Sequence, residues 1–350
     1  MCYNQEKLFL KVLIMNIKDI AKMAGVSIST VSRVINGTAY VSPETKERVE
    51  EILKDTGYRP NSLAKELQQN KTNSIGVILP RIDLGTFANM FSGVMEVLTA
   101  NNYNILLSNT GGLASEDIRY LNLLNEKRVD GILFFATGFI KEHQEVISKL
   151  RMPVAIVGQS GKFVNRQAIF LDSFAAAKAM VNYLISLGHT RIGCIAVDDY
   201  DENIGLQRKQ GYIAALKEHN IPIDYDLIVI DDFEYDSGKR GAEALLSNKA
   251  KIPTAIFCIT DRLAVSASAA VLQAGYKIPD DISIACIDDP PLLSFTYPPL
   301  TTMSFDYLEM GRRASKMLID GIDSGVEEKE QVAMPYTLEV RQSTNKNIHG

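Results

Sequence analysis

The chain reads as a small all-α helix-turn-helix headpiece followed by an α/β core of two doubly wound parallel-sheet subdomains. Three observations predict this. Between residues 17 and 57 three short stretches have apolar residues at helical spacing, each bounded by start and stop residues. From residue 74 onward, near-continuous apolar runs alternate with amphipathic stretches, as strands covered on both faces by helices require. This second part runs to about 270 residues, a length that favours two sheets over one.

The first helix spans 17–23, with Ile17, Ile20, Ala21 and Met23 as its apolar face. Ala24 and Gly25 break it, glycine being the residue a tight inter-helix turn tolerates best. Ser27 caps the second helix, in which Val31, Val34 and Ile35 face the core, and Asn36 and Gly37 end it. The third opens with Ser42 as cap, Pro43 in the first turn and Glu44 at the positive end of the dipole, and closes at Gly57.

Only a helix fits the major groove, and in a helix-turn-helix the second one reads with its N-terminal residues. Arg33 offers a two-pronged fork to guanine, Ser29 and Ser32 can bond bases or phosphates, and Ile28 can meet a thymine methyl. Thr30, Lys18 and Lys46 suit backbone phosphates, which set register rather than sequence. Asn36, Tyr58, Asn61, Ala64, Lys65 and Leu67 complete the candidate DNA-contacting set. Periodicity alone leaves open an ordinary three-helix bundle with a charged surface. Nine Lys or Arg stand against seven acids between Met15 and Ser74. So weakly basic a module binds DNA poorly by itself and needs a twin.

Residues 58–73 read as a hinge. Pro60 can start a helix, but only about two turns fit before the polar run 68–73, and so short a helix is marginal in water. Leu63 and Leu67 lie four apart, with Ala64 allowing close approach. Two such helices, one from each protomer, can pack together and push leucines into a minor groove, kinking the duplex.

GVSISTVSRVING, VSPETKERV and GYRPNSLAKEL resemble the headpiece of the LacI/GalR (lactose-repressor) family of bacterial transcription factors. By that resemblance Ile28 and Ser29 hold the main base-discriminating positions, Arg33 is the base-reading arginine, and Leu67 is the minor-groove wedge. Lys65 stands where an arginine is common, which keeps the cation.

Apolar content of 46%, few aromatics and no Trp fit a soluble α/β protein. Cys2, Cys194, Cys258 and Cys286 are scattered, without a C-x-x-C or His/Cys cluster, so reduced buried thiols in a cytoplasmic protein are expected, with no metal and no cofactor. His189, in GHTRI, reads as a turn before a strand. Residues 1–14 match neither a secretory signal nor a membrane span. They are expected to be a disordered extension or a mis-assigned start, with Met15 the true one.

Strand-like runs occupy 75–79, 104–109, 131–136, 153–157, 192–197, 227–231, 255–259 and 282–288, with helical stretches at 91–99, 116–127, 175–187, 207–219, 238–247 and 261–274. Ligands of such sheets sit beyond the carboxyl ends of the strands, so two facing sheets make a cleft. Strand ends here carry polar and aromatic residues: Arg81, Asp83 and Phe87, then Gln159 and Ser160, then Asp231, Asp232 and Phe233, then Thr260, Asp261 and Arg262, then Asp288 and Asp289. Acids and amides bond hydroxyls, and aromatic rings cover the apolar face of a sugar. A terminal Asp such as Asp261 can equally be a helix cap.

IACIDDPPLLSFTYPPLTTMSFDYLEMGRRA and the closing VRQST continue the resemblance, which spans 16–344 and implies a core like a periplasmic sugar-binding protein. Carried over by position, Arg208 and Asp288 are hydroxyl ligands and Phe233 is the stacking aromatic, with Phe87, Gln159, Asp261 and Phe305 as further lining. The implied division places the headpiece at 15–57, the hinge at 58–73 and the effector domain at 74–344. One subdomain takes about 74–172 and 305–330, the other about 173–304 and 331–344. No heptad tail follows, so a homodimer is expected.

These readings point to a repressor that grips operator DNA as a dimer and is released by a sugar effector. Within the same family the alternative is a corepressor-type regulator whose purine or partner protein tightens DNA binding. A solute-binding protein without gene control needs an export signal and no headpiece. An enzyme is disfavoured, since no G-x-S-x-G elbow, P-loop or G-x-G-x-x-G occurs at a strand end.

Overall fold

The computed structural model describes residues 15–58, 71–199, 201–326 and 329–347. The chain divides into two compact units, Met1–Thr72 and Asn73–Gly350. In the first, α1 (Ile17–Ala24), α2 (Ile28–Asn36) and α3 (Pro43–Thr56) close over a small core of Ile20, Ala21, Ala24, Val31 and Val49. Asn16 and Asp19 form a reciprocal capping box on α1, and Gly25, Gly37 and Gly57 end the three helices in the left-handed conformation that glycine adopts without strain. Two expectations need correction. Met23 is exposed and Ala24 takes its place in the core. Ser42 occupies the cap position of α3, but its hydroxyl donates to Thr45 Oγ1 (2.8 Å) rather than accepting a backbone N–H.

In the second unit, one sheet is built from β1 (Ser74–Leu79), β2 (Asn104–Asn109), β3 (Gly131–Phe135), β4 (Val154–Gly158), β5 (Gln167–Leu171) and β11 (Gln331–Met334), ordered β11-β5-β4-β3-β1-β2. The other comprises β6 (Ile192–Val197), β7 (Ile228–Asp231), β8 (Ala255–Cys258), β9 (Ser283–Ile287), β10 (Thr301–Phe305) and β12 (Tyr336–Glu339), ordered β12-β10-β9-β8-β6-β7. All ladders are parallel except β12 on β10. Central strands such as β3, β6 and β9 are buried along their whole length, as the continuous apolar runs require.

Helices α4 (Gly85–Ala100), α5 (Ala114–Glu126) and α6 (Lys141–Ile147) serve the first sheet. α7 (Ser173–Ser186), α8 (Arg208–Glu218), α9 (Tyr235–Ser247) and α10 (Asp261–Gln273) serve the second. After β10 the chain returns to the first subdomain through α11 (Tyr307–Ser324), which lies against α4. Phe305 thus ends a strand of the second sheet. Gln331–Met334 pairs with β5 in the first sheet, so the expected boundary at 331 falls after Met334.

Cys194, Cys258 and Cys286 are buried in strands, where burial pushes each thiol well up, to about 12 for Cys194. His189 is buried between Thr254 Oγ1 and the Asn345 carbonyl, each at 3.0 Å, a structural role. Among the described residues no helix is long and apolar enough to cross a membrane, and no His/Cys/Asp/Glu group could hold a metal ion.

Candidate functional site

Two surfaces carry the chemistry. The first is one side of α2. At about 100° per residue, Ile28, Ser32, Asn36, Ser29 and Arg33 fall within an arc of roughly 140°. Ile28, Ser29, Arg33 and Asn36 are exposed and Ser32 is half-buried, while Val31, Val34 and Ile35 pack inward. The Ser27 hydroxyl accepts from the Thr30 N–H (3.1 Å) and bonds Ser29 Oγ (2.7 Å) and Thr30 Oγ1 (2.8 Å). The helix start is therefore fixed, and the Thr30 hydroxyl is engaged in the cap. Asn36 Nδ2 donates to the Ser32 carbonyl (2.9 Å), holding that end of the face. Lys18 is exposed on α1. Lys46 is exposed on α3, 3.8 Å from Glu50. Tyr58 packs against the headpiece core. Asn61, Ala64, Lys65 and Leu67, with the rest of hinge residues 59–70, lie outside the described residues.

The second is the cleft between the two sheets, a cavity of about 360 Å³ at the carboxyl ends of their strands. Phe87, Gln159, Phe233, Asp261 and Asp288 all line it. Arg208 and Phe305 do not. Arg208 is fully buried and sends Nη1 and Nη2 to the two Asp288 oxygens at 3.0 and 3.2 Å, with Nη1 also reaching the Ile259 carbonyl (2.6 Å). Burial, the largest single influence, pulls its pKa down, but the charge and hydrogen bonds of Asp288 together with Tyr307 and Asp201 outweigh it, and the net movement is upward. Phe305 packs at a tilt against Tyr307 and edge-on against Tyr336, with ring centroids 6.2 and 6.1 Å away.

Asp288 is the pivot. The Tyr307 hydroxyl donates to its carboxylate, and the Thr302 hydroxyl donates to its backbone carbonyl at 2.7 Å. Its φ of 78° lies in the left-handed region, which costs a non-glycine residue on the order of 1–3 kcal/mol and persists where the surroundings over-determine it. Asp261 is the first residue of α10, with Thr260 before it as the cap. Burial, reinforced by the Asp288 charge, lifts its carboxyl to about 6. Gln159 donates from Nε2 to the Thr137 carbonyl (2.6 Å), and Phe87 packs edge-on against Phe135 at 6.3 Å.

The strand-end residue Thr260 lines the cavity too, and the sequence reading missed Asp198, Asp201, Asn203 and Tyr307, which also line it. Asp198 follows the last residue of β6, so the strand-end rule applied to DDYDEN would have found the first three. A π-helical turn, Glu202–Gln207, capped by Asp201, turns Asn203 into the cavity wall and delivers Arg208 to the interior. Burial lifts the Asp201 carboxyl to about 6. Asn203 Oδ1 and Thr260 Oγ1 are buried and find no hydrogen-bond partner among the described residues. Such orphaned atoms at a cavity wall are destabilising unless something polar meets them.

A helix-turn-helix module joined to a two-sheet ligand cleft defines an effector-binding, DNA-binding transcriptional regulator. The model for bacterial regulatory proteins of the lacI family matches residues 16–61, and that for a periplasmic binding protein-like domain matches 181–344. The chain is similar to catabolite control protein A of Priestia megaterium, 34% identical over 329 residues, covering 94% of this chain and 98% of that protein. Among solved structures it is similar to a transcriptional regulator CelR–cellobiose complex (26% identity, TM-score 0.70, 94% and 99% of the two chains covered). It shares its fold with a lac repressor dimer bound to operator and an anti-inducer (24% identity, TM-score 0.84, 95% and 99% covered). The chain belongs to the lacI family of bacterial regulatory proteins.

Proposed function

We propose that this regulator is a cytoplasmic, non-enzymatic homodimeric repressor of carbohydrate-utilisation genes, released from its operator by a neutral sugar. The observation that carries the reading is the cavity wall: carboxylates, an amide and two orphaned polar atoms for hydroxyls, with Phe87 and Phe233 as apolar faces for a ring. A volume of about 360 Å³ suits a ligand of one or two sugar rings, and the cellobiose held by the CelR relative supports the class. Asp261 and Asp288 are the proposed hydroxyl acceptors and Phe233 the stacking ring. Arg208 acts through Asp288 and Phe305 through Tyr307. On the headpiece, Ile28, Ser29, Ser32 and Arg33 are the proposed base readers, and two hinge segments hold the bent operator.

Sugar and operator compete for two states of one molecule, so their coupling is reciprocal. The test is a thermal-shift panel of sugars and nucleobases, followed by titration of each hit with and without operator. A sugar that binds more weakly in the presence of operator is expected. Equal affinity in both titrations defeats the mechanism, and a purine that binds more tightly with operator replaces it by corepression.

A further inference from the structure

The mouth of the cleft holds four charged side chains, two from each subdomain. Arg81 and Asp83 follow β1; Glu234 precedes α9 and Arg262 is the second residue of α10. Within the first subdomain, Arg81 binds Asp83 through Nε (3.1 Å) and Nη2 (2.7 Å). Across the cleft, Arg81 Nη1 reaches Glu234 Oε1 at 3.0 Å. Arg262 Nη2 stands 3.7 Å from Asp83 Oδ2 and donates to the Asp83 carbonyl at 3.3 Å. Arg262 Nη1 stands 3.7 Å from Glu234 Oε2 within its own subdomain, and its guanidinium lies 5.2 Å over the Tyr235 ring. Both arginines line the cavity.

We propose that Arg81, Asp83, Glu234 and Arg262 form a charge-neutral clasp that sets how far the cleft stays closed, and hence how tightly this regulator holds an uncharged effector. Each subdomain owns one acid and one base. When the cleft opens, Arg81 keeps Asp83 and Arg262 keeps Glu234, so no charge is stranded and only the cross-cleft bonds are lost. Opening is therefore inexpensive, and the balance between states rests on contacts that face solvent. Such contacts respond to ionic strength, because the screening length falls from about 30 Å at 0.01 M salt to about 3 Å at 1 M. The wall deeper in the cavity carries hydroxyl-binding groups; the clasp touches the closure step. Asp83 and Glu234 do not line the cavity, so the clasp makes these two positions determinants of affinity for a neutral ligand without direct contact.

The clasp rests on the reading of the cleft as an effector site, but its test needs no effector. Amide hydrogen exchange of residues 80–87 and 232–237 in the full effector-free chain reads closure directly, with β6 as an internal reference for global stability. Raising NaCl from about 0.01 M to about 1 M is expected to lower protection of both segments roughly three- to tenfold, the range two partly exposed ion pairs supply. In Arg81→Gln/Glu234→Gln the same change is expected to shrink to roughly two- to threefold, the square root of the wild-type factor, since one of the two cross-cleft pairs is gone. Equal salt responses in the two proteins, or none in the wild type, overturn the clasp. Should the double variant lose protection in β6 as well, Asp83→Asn, which removes the other cross-cleft acid and keeps Arg81–Glu234, carries the same comparison. Failure of the sugar panel leaves this result untouched, and failure here leaves the sugar reading standing.

Discussion

Arg208 and Asp288 face each other as a closed two-pronged pair, 3.0 and 3.2 Å apart, with the arginine fully buried and the aspartate at the cavity wall. The cation therefore fixes the position of the anion, and only the anion meets the cavity. Asp288→Ala leaves a buried guanidinium without its counter-charge. It is expected to destabilise the effector domain by about 3–5 kcal/mol, the cost of breaking a buried pair from one side. Thermal melting checks this, and a change no larger than that of an exposed control such as Asp226→Ala contradicts it.

Asp201 gives a pH dependence with a definite sign. Its folded carboxyl is lifted from 3.8 to about 6 by burial. The folded state therefore holds its proton more tightly than the unfolded chain, and this group's contribution to stability falls as pH rises from about 4 to about 6. Asparagine imitates the neutral form and keeps the acceptor for the Ile204 N–H. The stability of Asp201→Asn relative to wild type is expected to improve by roughly 2 kcal/mol between pH 4.5 and pH 7.5, within a full penalty of about 3 kcal/mol. Denaturant melts at the two pH values measure it. A flat difference removes the burial argument.

Which parts of this molecule can be read from residues alone follows from where polarity is compensated. Strands such as β3 and β6 announce themselves because burial on both faces makes them apolar throughout. β10 does not: three of the five residues of TTMSF carry hydroxyls, yet Thr301 and Thr302 are fully buried. Their hydroxyls bond Thr344 Oγ1 and the Asp288 carbonyl, partners supplied by distant segments that no window of sequence contains. β11 and β12 are only four residues long and each carries polar residues, so they escaped the apolar-run criterion as well. The family resemblance carries Arg208 over as a hydroxyl ligand and Phe305 as lining, by position alone. Their side chains instead support Asp288 and Tyr307, a distinction of direction rather than of position.

Helices α4 and α11 touch through glycine. A Cβ at Gly311 would stand 1.9 Å from the Met90 carbonyl oxygen, and one at Gly93 would stand 2.1 Å from that of Leu308. Both obstacles are backbone and cannot swing aside, so Gly311→Ala is expected to cost about 1–3 kcal/mol by forcing the helices apart. Gly321, on the same helix, has only ordinary contacts at 3.6 Å and beyond. There alanine removes backbone freedom from the unfolded chain at no steric cost, and Gly321→Ala is expected to stabilise by about 0.5–1 kcal/mol. The two substitutions should move the melting temperature in opposite directions; movement in the same direction refutes the close-approach account.

The headpiece face and the hinge should fail in different ways. Arg33 is exposed on the outer face of α2. Arg33→Ala is expected to cost about 1–3 kcal/mol at the preferred operator and to relax discrimination at the base it reads, while leaving binding to unrelated DNA weakened far less. Leu67→Ala removes no charge and no base-edge contact. If Leu67 is the wedge, its loss reduces operator bending and affinity together, with the salt dependence of binding unchanged because no phosphate contact has gone. Mobility-shift titrations on bent and straight operator duplexes at two salt concentrations separate the two residues. Loss of affinity at Leu67→Ala without loss of bending would assign that leucine to the support of the hinge rather than to the groove.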